Sequence, residues 1–256
     1  MTALITFSEA GASVGRMLAD EMPGAVLYIH ESAPPRAGEI PFQRIALLIK
    51  ELFPTTDGIV LIGPCGVAIR AIAPHIHSKH TDPPVVVVDA GGRYAVSLIG
   101  GHEGGANNLA FTVGNIIGAE PVITTTTEAV KVYIIGIGCR KGVNADTIIE
   151  AVNFSLQKAG VQLKQVRVLS TADIKKHEKG LIEAAYLLGT PIRFIPSDEI
   201  RACTRNFSMS CIAQKQVNLP AVAEPAALLA GRRTSLIQGK TVHRGVTVAI
   251  ARENCI

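Results

Sequence analysis

Short apolar runs rich in Val, Ile and Ala alternate along this chain with segments of helical periodicity. Gly58–Ile62 and the valine-rich Pro84–Asp89 are typical of strands buried on both faces. Ala145–Ala159 has an amphipathic helical pattern and follows Asn144, a good N-cap residue. Such alternation indicates βαβ units. The fold class is therefore predicted to be α/β.

The strand–helix pattern is interrupted once, at Thr124–Glu128, and begins again at Lys131. We therefore predict two domains, residues 1–128 and residues 129–256, each a mostly parallel sheet flanked by helices. The predicted strands are Ala3–Ser8, Ala25–His30, Gly58–Ile62, Pro84–Asp89, Tyr94–Ile99, Pro121–Thr125, Lys131–Ile137, Gln165–Ser170, Ile192–Ile195, Ser235–Gln238 and Val246–Ala251. The predicted helices are Gly11–Glu21, Pro41–Leu52, Gly66–His77, Gly105–Ile117, Ala145–Ala159, Glu178–Leu188, Ser197–Ala202 and Ala223–Leu229.

Composition narrows the class of protein. Hydrophobic residues make up 48% of the 256 residues, but aromatics only 4%, so the cores must be aliphatic. No apolar stretch reaches the roughly 20 residues of a membrane span, and no signal-peptide pattern precedes the first strand. We therefore expect a cytoplasmic protein that does not bind membranes. The cysteines form no CxxC pair, which predicts neither a disulfide framework nor a zinc site. They are Cys65, Cys139, Cys203, Cys211 and Cys255.

The two halves differ in charge. Residues 1–128 carry 7 Lys and Arg against 12 Asp and Glu, whereas residues 129–256 carry 18 against 9. A basic half attracts anionic partners: nucleic acid, a polycarboxylate or the acidic half itself. The basic residues are scattered and have no stacking aromatics or recognition helix beside them, so we expect no nucleic acid as partner.

Three glycine-rich segments follow predicted strands: Gly63–Gly66, Ser97–Asn107 and Gly136–Gly142. We expect all three at carboxyl ends of strands, where open α/β sheets bind ligands. Glycine lets a ligand approach the backbone, and the N-terminus of a following helix favours an anion. Arg140 and Lys141 add positive charge. The alternative is that these segments are tight turns without a ligand.

The third segment does not match a common nucleotide-binding motif. Its spacing is GxGxxxG rather than the GxGxxG of a dinucleotide site, and no GK[ST] sequence is present. Nucleotide binding is therefore unsupported, although a nucleotide- or phosphate-binding regulatory protein stays an alternative.

Several motifs occur together in a characteristic order. Those of the first half are Gly66–Pro74, Lys79–Asp89, Ser97–Asn107 and Pro121–Thr125. Those of the second half are Gly136–Gly142, Leu169–Lys176, Glu178–Leu181, Leu188–Ile192 and Val222–Leu228. From about Gly58 to Arg252 the chain thus resembles the CbiG family, the cobalt-precorrin-5A hydrolases of anaerobic cobalamin biosynthesis. One departure is that the family's usual middle segment is missing, because Thr124–Glu128 leads almost directly to Lys131.

The resemblance implies a hydrolase that opens a δ-lactone joining the ring A acetate of a tetrapyrrole to its C20 carbon. C20 and its methyl group then leave as acetaldehyde. The substrate would lie between the domains, and its acetate and propionate groups would suit a basic half. The cobalt belongs to the substrate, so no cofactor and no protein-bound metal are expected. A tetrapyrrole-binding or carrier protein without chemistry is the main alternative. A homodimer and transient contact with other corrin-pathway enzymes are further partner hypotheses.

Lactone hydrolysis needs an activated water and donors for an oxyanion. His102 is the first candidate base, because imidazole titrates near neutrality and the flanking glycines leave it room. Its alternative role is to bind a carboxylate without proton transfer. Asp89, at the end of the valine strand, and Glu224, at a helix start, are the other catalytic candidates. Glu224 would otherwise serve only as a helix cap. Glu103 stands where the family often has an apolar residue, so we assign it no catalytic role.

The predicted substrate-binding residues lie on the glycine-rich segments and on the segment after the strand that ends near Ser170. They are Arg70, Gly100, Gly101, Gly104, Gly105, Asn107, Gly138, Cys139, Arg140, Lys141, Gly142, Ser170, Thr171, Asp173 and Lys175. Cys139 is also a possible nucleophile, since a helix N-terminus lowers a thiol pKa, but small cysteines commonly serve in packing. Asp173 and Lys175 have an alternative as cap and surface charge.

Overall fold

The computed structural model describes residues 1–254; Cys255 lies outside the described residues. The chain forms two compact units, Met1–Thr125 and Thr126 onward. The α/β fold with two domains is confirmed. The contacts divide the chain between Thr125 and Thr126, whereas the sequence placed the boundary between residues 128 and 129.

The first domain contains seven strands and four α-helices. The strands are β1 (Thr2–Thr6), β2 (Val26–His30), β3 (Ile40–Phe42), β4 (Gly58–Ile62), β5 (Val85–Val88), β6 (Tyr94–Ile99) and β7 (Glu120–Val122). The helices are α1 (Glu9–Glu21), α2 (Ile45–Leu52), α3 (Cys65–Ile72) and α4 (Ala106–Ile117), and a 3-10 turn covers Ala73–His75.

The strand order in the first sheet is β3-β2-β1-β4-β5-β6-β7. All neighbours are parallel except β5 and β6, which form an antiparallel hairpin. Gly92, with φ of 68°, sits in the hairpin turn, where a left-handed conformation favours glycine. Because β6 runs in the opposite direction, its carboxyl end lies at the same edge as the amino ends of β1 to β5.

Apolar side chains cover both faces of the first sheet. One cluster joins the sheet to α2 and α3, and the other joins it to α1 and α4. The valines of β5 are all buried, as a strand covered on both faces requires. The Ser8 hydroxyl caps α1 by accepting a hydrogen bond from the Gly11 N–H.

The second domain contains five strands and six α-helices within the described residues. The strands are β8 (Tyr133–Cys139), β9 (Val166–Ala172), β10 (Ile192–Ile195), β11 (Thr234–His243) and β12 (Val246–Glu253). The helices are α5 (Thr126–Ala129), α6 (Ala145–Ala159), α7 (Lys179–Leu187), α8 (Ser197–Ala202), α9 (Cys211–Val217) and α10 (Ala223–Leu229), with 3-10 turns at Leu163–Gln165 and Asp173–Lys175.

The second sheet is mixed rather than mostly parallel. Its order is β10-β9-β8-β12-β11, in which β8, β9 and β10 are parallel but β12 is antiparallel to both of its neighbours. The cause is a β11–β12 hairpin, whose tight turn at Arg244 and Gly245 replaces the longer connection expected over Gly239–Gly245.

The glycine at the centre of β8 is required for packing. A Cβ on Gly136 would overlap the carbonyl oxygen of Ala223 and lie 2.9 Å from the Ala227 Cβ. Helix α10 can therefore lie against β8 only because this position has no side chain. On the opposite face, α6 and α7 cover a cluster that includes Ile135, Ile137 and Ile148.

Three numbered elements, the strand β3 and the helices α5 and α9, are absent from the sequence prediction. β3 is a three-residue edge strand that contains Pro41. The sequence analysis assigned Pro41 to the predicted helix Pro41–Leu52 instead. α9 has no buried residue, so its sequence shows no apolar stripe. Within residues 1–254, no helix is long and apolar enough to cross a membrane.

We predict that Gly136→Ala lowers the free energy of unfolding by about 3 kcal/mol, because the new Cβ overlaps the Ala223 carbonyl. Gly138→Ala is the matched control on the same strand. Its Cβ would lie 3.5 Å from the Val222 Cβ, an ordinary contact, so we expect a change below about 1 kcal/mol. Urea denaturation measures both. Equal losses would contradict the packing role of Gly136.

Candidate functional site

The carboxyl edge of the second sheet gathers many of the predicted binding residues. Because β8, β9 and β10 are parallel, Cys139, Ala172 and Ile195 end at one edge. The segments that follow them are the turn 140–144, the 3-10 turn Asp173–Lys175 and the start of α8. The structure thus brings Arg140, Lys141, Asp173 and Lys175 to one edge.

Glu178 fixes the turn at this edge. One carboxylate oxygen accepts a hydrogen bond of 2.9 Å from the Gly142 N–H, and the other lies 3.4 Å from the Lys175 Nζ. The Gly142 N–H is the main cause of a lowered Glu178 pKa; burial opposes it, and the charges of Lys175 and Lys141 assist it. A Cβ on Gly180 would overlap the Val143 carbonyl, so α7 packs closely against the turn.

Arg140 and Lys141 are exposed on this fixed turn. Neither side chain makes a hydrogen bond or an ion pair with any residue from 1 to 254. By contrast, Lys175 pairs with Glu178, and Asp173 accepts a hydrogen bond from the Ser197 hydroxyl. The two unpaired cations are therefore the groups of this edge that are free to bind an anion.

Other predicted binding residues of the second domain have structural partners. The Ser170 and Thr171 hydroxyls are buried and donate hydrogen bonds of 3.3 and 2.7 Å to carbonyls of β8, those of Ile135 and Ile137. A Cβ added at Gly138 would lie 3.5 Å from the Val222 Cβ, an ordinary contact, so packing does not require a glycine there. Burial raises the pKa of Cys139; Lys175 opposes this and Glu178 adds to it. A thiol with a raised pKa is a poor nucleophile at neutral pH.

Each glycine-rich segment reaches the carboxyl end of a strand, as the sequence analysis expected, but the two in the first sheet lie at opposite edges. Gly63–Gly66 follows β4 at the carboxyl edge of the first sheet, where β1 and β4 form the switch point in strand order. Gly100–Gly105 follows the antiparallel β6, and Ile99 pairs with Val85 at the start of β5. The His102 loop therefore lies at the opposite edge from Asp89. The direction of β6 was not apparent from its sequence.

Glycines of the His102 loop pack against the loop itself. A Cβ on Gly104 would lie 2.9 Å from the Gly100 Cα, and one on Gly101 would lie 2.5 Å from the Thr125 methyl group. Gly100 and Gly105 have positive φ values of 72° and 89°. These constraints explain the glycines without a ligand.

The Asn107 side chain holds the His102 loop in place. This buried side chain accepts a hydrogen bond of 2.8 Å from the Ser97 hydroxyl and donates one of 3.1 Å to the Thr125 hydroxyl. His102 is exposed at the tip and makes no hydrogen bond within residues 1–254. Glu103 pairs with Lys79 at 2.8 Å. His102 is thus free to reach a ligand, whereas Asn107 is committed to the loop.

Asp89 organises the β5–β6 hairpin. Its carboxylate accepts hydrogen bonds from the backbone N–H groups of Gly91, Arg93 and Tyr94 and pairs with the Arg93 guanidinium at 3.0 Å. Burial raises the pKa of Asp89, but the donors from Tyr94 and Arg93 lower it by more, so the net shift is downward. These contacts favour a structural role over a catalytic base.

Glu224 is only 2% exposed and binds backbone groups of a loop and of strand β11. It accepts a hydrogen bond of 2.7 Å from the Lys240 N–H in β11 and a second, short one from the Ser208 N–H in the loop before α9. Its carboxylate therefore joins α10 to that loop and to β11. In the first domain, Arg70 donates to the Gly66 carbonyl of its own helix at 3.3 Å. Residues 1–254 contain no group of three or more His, Cys, Asp or Glu side chains able to hold a metal ion.

Comparison with known proteins matches both domains to the same family. The models described as cobalamin synthesis G C-terminus and cobalamin synthesis G N-terminal (CbiG) match residues 133–251 and 47–128. Protein CobE of Sinorhizobium sp is 30% identical over 128 residues, covering 49% of this chain and 83% of that protein. The chain belongs to the CbiG family.

Two longer relatives within the CbiG family carry the name cobalt-precorrin-5A hydrolase. The protein of Salmonella typhimurium is 36% identical over 127 residues, which cover 49% of this chain and 36% of that relative. The match therefore spans little more than a third of that protein's length. The protein of Priestia megaterium is 23% identical over 305 residues, with 81% of each chain covered. Only residues 129–132 separate the two CbiG domain matches in this chain.

Glu178 is the residue at this edge that the sequence analysis did not single out. It is the first residue of the predicted helix Glu178–Leu188, where a glutamate ordinarily serves as a cap or a favourable charge at the helix N-terminus. Its role depends on a hydrogen bond to Gly142, 36 residues earlier, and only the fold reveals that contact.

We predict that Glu178→Gln lowers the free energy of unfolding by about 1 kcal/mol near neutral pH, because the amide holds the Gly142 N–H and Lys175 less strongly. The folded state lowers the Glu178 pKa below its ordinary 4.5, so the carboxylate's contribution is present above that pH. It is lost as the pH falls through the folded-state pKa.

The difference between wild type and Glu178→Gln should therefore shrink as the pH falls from about 6 to about 3 in urea titrations. Glu183→Gln, an exposed position on the same helix, is the control and should change little at either pH. A difference that grows on acidification would contradict the assigned contact.

Proposed function

We propose that this CbiG-family chain hydrolyses cobalt-precorrin-5A, opening the ring A δ-lactone and releasing acetaldehyde to give cobalt-precorrin-5B. The names of the Salmonella and Priestia relatives support this reaction. The structural observation that carries the proposal is the pair of unpaired cations, Arg140 and Lys141, on a fixed turn of the basic domain. They would bind carboxylate side chains at the rim of the tetrapyrrole.

In the proposed reaction, water adds to the lactone carbonyl and the acyl C–O bond breaks. The ring A acetate is freed as a carboxylate, and C20 keeps the lactone oxygen as a hydroxyl group. The C–C bond between C20 and the macrocycle then breaks: the hydroxyl loses its proton and becomes the aldehyde carbonyl, while the bonding electron pair stays with the ring carbon, which takes up a proton. C20 and its methyl group thus leave as acetaldehyde, and one water is consumed overall. His102 is the base in this proposal. Of the three candidates it alone makes no hydrogen bond within residues 1–254, whereas Asp89 and Glu224 accept hydrogen bonds from backbone N–H groups. We propose no cofactor, since the cobalt travels in the substrate.

A second candidate is a tetrapyrrole-binding protein without chemistry. Two observations favour it: two of the three acid–base candidates have structural contacts, and about half of this chain matches most of Protein CobE. This candidate requires tight binding of the tetrapyrrole with no turnover at any pH.

The first test measures acetaldehyde from cobalt-precorrin-5A under anaerobic conditions. We expect release by the wild type and a loss of about a hundredfold or more in kcat for His102→Ala, the usual size of a general-base contribution. His77→Ala removes another exposed histidine of the same domain and should leave kcat unchanged. Binding without acetaldehyde would favour the non-catalytic protein, and full activity of His102→Ala would exclude His102 as the base.

The second test concerns the cations. Lys141→Ala should raise KM about tenfold and change kcat little, because a charge-assisted contact to a remote carboxylate binds substrate and transition state alike. Lys158→Ala removes the same charge from an exposed position on α6 and should leave KM unchanged. If Lys141→Ala and Lys158→Ala raise KM equally, substrate binding depends on the overall positive charge of the domain rather than on the cations of this turn.

A further inference from the structure

The amino edge of the second sheet contains an open cavity of about 530 Å³ that no predicted site residue lines. Its polar lining consists of Thr204, Arg205, Asn206, Arg233, Thr234 and Ser235. Leu228 and Leu236 supply an apolar floor. A volume of this size falls in the usual range for small-molecule sites, roughly 300–1,000 Å³.

Arg205 is held with part of its guanidinium free. Its Nη1 donates hydrogen bonds of 3.3 Å to the Leu228 carbonyl and 3.1 Å to the Thr234 carbonyl, and it also contacts the Thr234 hydroxyl. Its Nε and Nη2 make no hydrogen bond within residues 1–254. The head group is thus fixed in place while two of its nitrogens remain available to an acceptor.

Arg233 contributes the second guanidinium. Its side chain is exposed and makes no hydrogen bond or ion pair within the described part of the chain. Its backbone has a φ of 50°, a left-handed conformation that glycine or asparagine adopts with less strain. The Asn254 amide holds its carbonyl at 3.0 Å. Strained residues of this kind cluster at binding sites.

Within residues 1–254, no carboxylate pairs with the guanidinium of Arg205 or Arg233. Arg167 and Arg193 donate to the Ala230 carbonyl at 3.0 and 3.2 Å, just behind the cavity. The Glu253 carboxylate is already used: one oxygen lies 3.0 Å from Arg167, and the other accepts from the Arg232 N–H at 2.6 Å. Since arginine stays protonated at all ordinary pH values, the cavity keeps a positive potential.

We propose that this cavity is a second anion site, which binds a carboxylate carried on a partly apolar body. Two guanidiniums suit a planar oxyanion, and the hydroxyls around them supply further donors. The leucine floor favours a carboxylate on a hydrocarbon frame over a bare inorganic ion. The site lies at the other end of β8 from Arg140 and Lys141, and seven strand residues at about 3.3 Å each separate the ends by roughly 20 Å.

The test measures binding of uroporphyrin, a macrocycle with acetate and propionate groups on every ring, to the full chain by fluorescence titration. We expect Arg233→Gly to weaken binding about tenfold or more without loss of thermal stability, because glycine relieves the strained φ. Arg205→Gln should weaken binding similarly. The matched control is Arg244→Gly, an exposed arginine with φ of 47° at the other edge, which should bind as wild type does.

The outcomes separate this site from the hydrolase proposal. The cavity rests on its own geometry, and only the choice of a tetrapyrrole probe rests on the proposed function. If inorganic phosphate displaces uroporphyrin from the wild type but not from Arg233→Gly, the cavity is still an anion site, and phosphate is its ligand. The inference is overturned if the cavity variants bind uroporphyrin and phosphate as wild type does, even when the wild type releases acetaldehyde. It is equally overturned if the wild type binds neither probe.

Discussion

The close approach of α10 to β8 is the constraint on which most of the second domain depends. The Ala223 carbonyl occupies the space that a side chain at Gly136 would fill. This packing places Glu224 where its carboxylate holds the Ser208 loop and Lys240 of β11. At the far end of α10, the Leu228 and Ala230 carbonyls then position Arg205 and Arg167. The packing of α10 on Gly136 thus determines where Arg205 and Arg167 are held at the amino edge of the second sheet.

The proposed anion binding of this CbiG-family chain rests on unpaired cations rather than on glycine-rich loops. Gly101 and Gly104 are required by packing inside the His102 loop, and Gly136 by α10. The cations proposed to bind anions are Arg140, Lys141, Arg205 and Arg233. All of them belong to the half of the sequence with 18 basic residues against 9 acidic ones. These cations of the basic half form two groups, one at each edge of the second sheet.

Sequence patterns revealed the elements well where burial imposes a periodicity. Ala145–Ala159 and Gly58–Ile62 were bounded correctly, because an apolar stripe or a buried run identifies them. The direction of β6 could not be read, since residue alternation is the same in parallel and antiparallel strands. The functions of Glu178 and Glu224 were also hidden, because each depends on backbone donors distant in sequence. The sequence could predict that Arg140, Lys141 and Lys175 lie at one edge of the second sheet, because βαβ units place successive strand ends together.

Hydrogen exchange of the full chain with and without uroporphyrin tests most directly whether anionic ligands bind the basic domain. Bound ligand should slow amide exchange in residues 139–144, beside the two free cations, and in residues 204–206 and 233–236, which line the cavity. Residues 63–66 and 99–105 should exchange as in the free protein. Protection confined to those two glycine-rich segments of the first domain would contradict the account.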